Sequence, residues 1–368
     1  MRIELRTAVL AVMMCALNGI AEVITVDEDI VAPDSAVWTS GNTYWLTEKI
    51  FVEEGASLTI EPGVVVKSDA DLGFAAAGLV VCRGAKIYAE GTVDSPIVFT
   101  SIEDQLEGGG SATQPAPGSW GGVIIMGNAR INRPGGQGRM EGIDPADNRC
   151  LFGGDDDDDN SGVFRYVSIR FAGIVVSGDK EINGLSMGGV GRGTTIDHVE
   201  VYKNFDDGFE WWGGCVNTSH LLAVSCNDDA FDYDEGFRGH GQFWCAIVDN
   251  WGPSASTCGE HDGGVNGADT PYAIPVISNA TYISEMSQFD HPPMLLNFRE
   301  GAGGKYLNSI FYCEGFVEIR DEARDRLFDG DLWLKNNIFW ASESVELSSW
   351  DRIDSWFTDS LEQWNNIA

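Results

Sequence analysis

Two acidic phrases, NFDDGFEWWGG (204–214) and CNDDAFDYDEG (226–236), repeat at an offset of 22 residues. The offset lays Asp206 on Asp228, Asp207 on Asp229, Phe209 on Phe231, Glu210 on Asp232 and Gly214 on Gly236. If 22 residues make one winding of a coil, the acids stack at the strand spacing of about 4.8 Å. Two like charges about 5 Å apart repel by roughly 3 kcal/mol at an effective dielectric near 20. Water and salt, a retained proton or a bound cation can relieve that repulsion. Asp206, Asp207, Asp228, Asp229, Asp232 and Asp234 are the ligands a hard, oxygen-seeking cation would use, with Ca²⁺ the expected ion. Solvated turn acids are the alternative. Against it stand Phe205, Phe209, Trp211, Trp212, Phe231, Tyr233, Phe237 and Phe243, which would make the setting concave and partly dry.

Other groups could do chemistry. His198 and His220 share the same register and are either neutral surface imidazoles or a shared transition-metal site. GEHDGG (259–264) brings Glu260, His261 and Asp262 together, but adjacent strand residues face opposite ways, so a solvated loop is the expectation. The acid run Asp155–Asp159 also reads as a solvated loop, with calcium binding as its other use. GGVGRG (188–193) lacks both the following helix pattern and the Lys-Ser/Thr of a phosphate cradle. Trp120, Trp211, Trp212, Trp244 and Trp251 fit either sugar-stacking platforms or an aromatic stripe inside a core.

These residues need a scaffold that repeats. Alternating apolar pairs, Val199 with Val201, Leu221 with Ala223 and Phe243 with Cys245, read as short strands with one face buried. EEGASLTIEPG (53–63) lies over CRGAKIYAEGT (82–92) at an offset of 29, and FRYVSIRFAG (164–173) precedes TIDHVEVYKN (195–204) by about 31. Short strands, 45 glycines and a repeat near 22 predict an all-β fold, a right-handed parallel β-helix over 22–320. Polar inserts at 101–120 and 133–161 are expected to stand away from it as mobile loops. In the capping segment 321–368, Trp350, Ile353, Trp356, Phe357, Leu361 and Trp364 recur at helical spacing and predict an amphipathic cap over the last coil.

In part the chain resembles the polygalacturonase-type glycoside hydrolases, through Asp206-Asp207, then Asp228-Asp229 one coil later, then Gly239-His240-Gly241. That resemblance implies Asp206, Asp207, Asp228, Asp229 and His240 as a catalytic group for inverting hydrolysis, which suits carboxyls about 6.5–9.5 Å apart. His240 follows Asp229 by only half a coil, and the Arg-Ile-Lys that grips an acidic sugar in that family is absent. More of the chain is similar to exported bacterial β-helix proteins of unassigned activity. The carriers are EEGASLTIEPGVVVK (53–67), PGSWGGVIIMGNARIN (117–132), EINGLSMGGVGRGTTIDHVEVYKNFDDGFEWWGG (181–214) and DDAFDYDEGFRGHGQFW (228–244).

Composition bounds the role. Residues 1–21 have a charged start, an apolar run from Ala8 to Ala16 and a small-residue end, the pattern of a secretory signal peptide. No later stretch approaches the roughly 18 apolar residues of a membrane span. The formal charge of −34 becomes −35 without the signal, a field that repels nucleic acid and anionic lipid and favours divalent cations and neutral partners. Seven cysteines remain after the signal, an odd number split between possible disulfides and buried thiols. The expected function is a secreted or cell-surface binding or structural module, Ca²⁺-stabilised, that contacts a glycan or a surface protein. The alternative is a polysaccharide-degrading hydrolase or lyase built on the stacked Asp pairs.

Overall fold

The computed structural model describes residues 21–340 and 366, except 70–72, 107–113, 178–179, 250–256, 285–293, 314–315 and 321. The signal segment 1–20, Trp251 and the helical pattern from Trp350 to Trp364 lie outside the described residues. What is described is a parallel β-helix. One long sheet and a second, nine-stranded sheet are built from parallel pairs between successive coils. The 22-residue register holds between the first two of the coils it was read from: Phe209 pairs with Phe231, Val199 with Leu221 and Val201 with Ala223. Leu58 lies beside Ile87 at the expected offset of 29, and Val167 lies beside Val199 at 32.

Each coil bends inside the long sheet. Gly162–Arg170 pairs through its first half with Lys86–Glu90 and through its second half with Ile97–Ser101. At the bend, Tyr166 has a φ of 49°. His198, His220, Phe243, Asn279, Asn308 and Asn336 repeat that left-handed backbone at the same corner of later coils.

The third coil carries one extra residue: Leu222 pairs with Cys245 and Ala223 with Ala246. A slip of one residue exchanges the faces of a strand. Trp244 and Ala246 therefore point into the core, whereas the sequence reading placed Phe243 and Cys245 there; Phe243 is exposed. The interior is an aromatic pile. The Trp211 and Trp244 rings are 4.9 Å apart and nearly parallel, and Phe209, Phe231 and Tyr282 continue the stack. Trp120, Trp211 and Trp244 are fully buried and Trp212 is buried under an insert, so these four are packing residues and not sugar platforms.

The insert at 133–161 does not stand free. Met140, Ile143, Cys150 and Phe152, with neighbouring Ile131, pack as a second apolar cluster on Phe51, Val80, Ile124, Met126 and Trp212. Those five occupy outward positions at the near end of the second sheet, where alternation would otherwise leave them wet. The acid run is tied down as well: Asp157 binds Arg130 at 2.8 Å, and also Arg238 and Arg192. The parallel pairing also passes the expected boundary at 320, because Leu332–Lys335 and Ile338–Trp340 continue the long sheet. The helix among the described residues is Ala323–Asp329. Cys82, Cys150, Cys215, Cys226 and Cys245 are free thiols, and burial pushes Cys82 and Cys226 up to about 12.

A candidate cation site on the outer face of the second sheet

Strand alternation and coil register together write one outward row along the second sheet: Val80, Ile124, Ser186, Glu210, Asp232, Glu260, Asn297, Glu318. The row turns from apolar to acidic where the insert ends. A second acid layer comes from the turns before two of these strands, Asp206-Asp207 before Phe209–Trp212 and Asp228-Asp229 before Phe231–Asp234. Gly208 joins that turn to its strand; a Cβ there would lie 2.7 Å from the Ala230 carbonyl oxygen, so only glycine lets the coils close at this point.

The acids separate into two roles. Asp207 and Asp229 are 7% and 5% exposed and form part of a hydrogen-bonded ladder between coils. The Asp229 backbone N–H donates to Asp207 Oδ1 at 2.8 Å, and the Thr257 hydroxyl donates to Asp229 Oδ1. Half-buried Asp206 and exposed Asp228 stand outside them. Carboxylate oxygens of Asp206, Asp207 and Asp228 lie within 4.8 Å of one another, and so do those of Asp207, Glu210 and Asp232. Asp207 belongs to both groups, which makes the five carboxylates continuous.

Few donors serve this concentration of charge. Asn183 donates to Glu210, but Asp232 Oδ1 has no hydrogen-bond partner among the described residues although the residue is only 9% exposed. An unpartnered, buried carboxylate oxygen beside two other carboxylates is costly unless it is protonated or bound to a cation. Burial first, and then the neighbouring carboxylates, hold Asp206, Asp207, Glu210, Asp229 and Asp232 well above the usual carboxylate range. Asp234 rises to about 7, through burial and then the charges of Glu235 and Asp262.

The far end of the row is neutralised. Arg299 grips Asp262 through two bonds of 2.6 and 2.8 Å and also meets Glu260, while Asn297 donates to Glu260 at 2.8 Å. The insert side adds acid: Glu181 and Glu141 both act on Asp206, and Glu141 is itself raised by burial against the pull of Lys180.

Of the residues singled out from sequence, Asp206, Asp207, Asp228, Asp229 and Asp232 converge, and Asp234 lies one outward position along. His240 does not join them. It is exposed on the long sheet, in a strand paired with Asn217–Val224. GEHDGG forms a strand and not a loop: Glu260 and Asp262 extend the acid row, and His261 points inward to stack on Tyr233 with ring centroids 4.0 Å apart. Glu260 and Asp262 were noticed but read as a loop, and Arg299 was missed, because the coils that carry them are longer, with Asp232 pairing to Glu260 and Glu260 to Asn297 at offsets of 28 and 37. Glu210 was visible in the 22-residue alignment but was not counted as a ligand.

The donor set fits a hard cation. Ca²⁺ takes oxygen ligands at about 2.3–2.6 Å, so two oxygens sharing one ion lie at most about 5 Å apart, which both triads satisfy. Carboxylates alone, without imidazole or thiolate, select Ca²⁺, Mg²⁺ or Mn²⁺.

A solenoid of parallel strands, its two sheets wrapped around one stacked core, defines the class of the parallel β-helix proteins. The chain belongs to the family described as pectate-lyase-like β-helix domain, whose model matches residues 30–355. No curated protein matches it.

Proposed function

We propose that the acid trough binds Ca²⁺ and that the protein is an exported, Ca²⁺-stabilised β-helix module whose metal-bearing face contacts a glycan. The observation that carries this reading is the unpartnered Asp232 Oδ1, held beside Asp207 and Glu210. An ion there would take Asp207, Glu210 and Asp232 as ligands, and a neighbouring one would take Asp206, Asp207 and Asp228. Bound Ca²⁺ would supply a positive centre for sugar hydroxyl or carboxyl oxygens, and Asp228 is the exposed member of the acid group. The family supports a carbohydrate as partner, and the surface charge favours a neutral one.

A polysaccharide-cleaving enzyme is the second reading, favoured by the raised carboxyls, since a general acid must hold its proton near neutral pH. The carboxylate oxygens of Asp206, Asp207 and Asp228 lie within 4.8 Å, closer than the ~6.5–9.5 Å that an inverting pair requires. Retention on a panel of neutral and acidic polysaccharides, in Ca²⁺ and in chelator, separates the two. The binding module predicts Ca²⁺-dependent retention without new reducing ends. Reducing ends that vanish in Asp207→Asn and Asp229→Asn would establish the enzyme, and no retention on any glycan would remove the carbohydrate role.

A further inference from the structure

Eight residues ahead of the acid turns, His198 before Asp206 and His220 before Asp228, four rings stack on the outer corner of the long sheet. Tyr166 to His198, His198 to His220 and His220 to Phe243 have centroids 4.4, 4.1 and 4.9 Å apart. All four residues hold left-handed backbone, which turns their side chains out of the barrel at the same corner of successive coils. One carboxylate serves both imidazoles: Asp197 Oδ2 lies 2.8 Å from His198 Nδ1, and Asp197 Oδ1 lies 3.0 Å from His220 Nδ1. Ser219 also donates to Asp197 Oδ1, which fixes the carboxylate between the rings.

The ligand atoms of Asp197, His198 and His220 lie within 4.8 Å of one another, and all three side chains are partly exposed. Cis ligands on an ion with bonds of about 2.0–2.1 Å are separated by about 2.9 Å, close to the two N–O separations found here. Two imidazole nitrogens with one carboxylate suit Cu²⁺, Zn²⁺ or Ni²⁺ and are poor ligands for Ca²⁺. We propose that Asp197, His198 and His220 form a second, transition-metal site, independent of the acid trough. Coordination replaces the protons between the Nδ1 atoms and Asp197. Both rings must turn somewhat from their near-parallel stack, 16° apart, to aim at one ion. Tyr166 and Phe243 cap the pair on its two sides, so that turn is confined to a small range.

The fold supplies suitable control variants. Asn279, Asn308 and Asn336 occupy this corner with the same backbone sign in later coils, so His198→Asn and His220→Asn put a residue the corner already accepts in place of each ligand. The full-length protein is titrated with Cu²⁺ alone, in excess Ca²⁺ to occupy the trough, and followed by calorimetry and by the nitrogen coupling of the Cu²⁺ electron-spin resonance spectrum. One Cu²⁺ per chain with two-nitrogen coupling is expected. Each single variant should weaken binding about tenfold or more and halve the coupled nitrogens, with an unchanged melting temperature in the absence of Cu²⁺, while His240→Asn should change nothing. A spectrum without imidazole coupling, or affinity equal in wild type and the His198→Asn/His220→Asn double variant, overturns the site. Those outcomes do not depend on whether the trough binds Ca²⁺.

Discussion

Asp232 carries the sharpest electrostatic conflict, because one of its oxygens is buried with no donor among the described residues, in a residue clustered with two other carboxylates. Asp232→Asn removes a charge that the apo protein must otherwise neutralise with a proton. At pH 8 in chelator the variant should melt about 2–4 °C above wild type, on the scale of 1 kcal/mol for a chain of this size, and it should lose most of the rise that Ca²⁺ gives wild type. The pH dependence has a definite sign. The folded protein holds protons on Asp206, Asp207, Glu210, Asp229 and Asp232, with Asp234 at about 7, that an unfolded chain releases near pH 4. Stability from these groups is therefore complete below about pH 4 and drains as pH rises through 7. Thermal scans in chelator should fall across that window, and saturating Ca²⁺ should flatten the fall. The acid pairs were legible because their coil repeats at a constant 22 residues. The place of Glu260 and Asp262 in the acid row, and Arg299 itself, were hidden because coil length changes after Asp232, and a repeat search cannot follow a variable period.

At the scale of elements, the insert at 133–161 is part of the solenoid wall. Its composition, rich in Gly, Asp and Arg, reads as a free loop, and its few apolar residues are spaced without period. What holds it is the outward apolar row of the second sheet, which becomes apparent only when the strands are in register. Phe152→Ala should destabilise the protein by about 3–5 kcal/mol, as for a fully buried aromatic. Chemical denaturation checks the figure, and a cost under about 1 kcal/mol would mean that the insert is not docked in solution. The slip at Trp244 teaches the same lesson at smaller scale. A single added residue sends Phe243 to the surface and Trp244 to the core, and hydrophobicity could not arbitrate because both neighbours are large aromatics.

Over the whole molecule, a solenoid core shares each coil's stability with its neighbours. Glu210 and Asp232 face outward from the same strands whose Phe209 and Phe231 enter the core pile, so the trough and the core are two faces of the same coils. Stripping a cation from the outside should loosen the stack inside, and tryptophan fluorescence should change on adding chelator at neutral pH without global unfolding. The fold class was readable from glycine, short alternating strands and internal offsets, because every coil obeys the same rule. If a cation satisfies the stacked carboxylates, calorimetric titration of the full chain with Ca²⁺ at pH 7.5 registers its binding. One or two saturable sites per chain are predicted, with Kd of about 10⁻⁴–10⁻³ M or tighter as for extracellular modules, absent in the Asp207→Asn/Asp232→Asn double variant. No saturable heat in wild type, together with a melting temperature that chelator leaves unchanged, would contradict it.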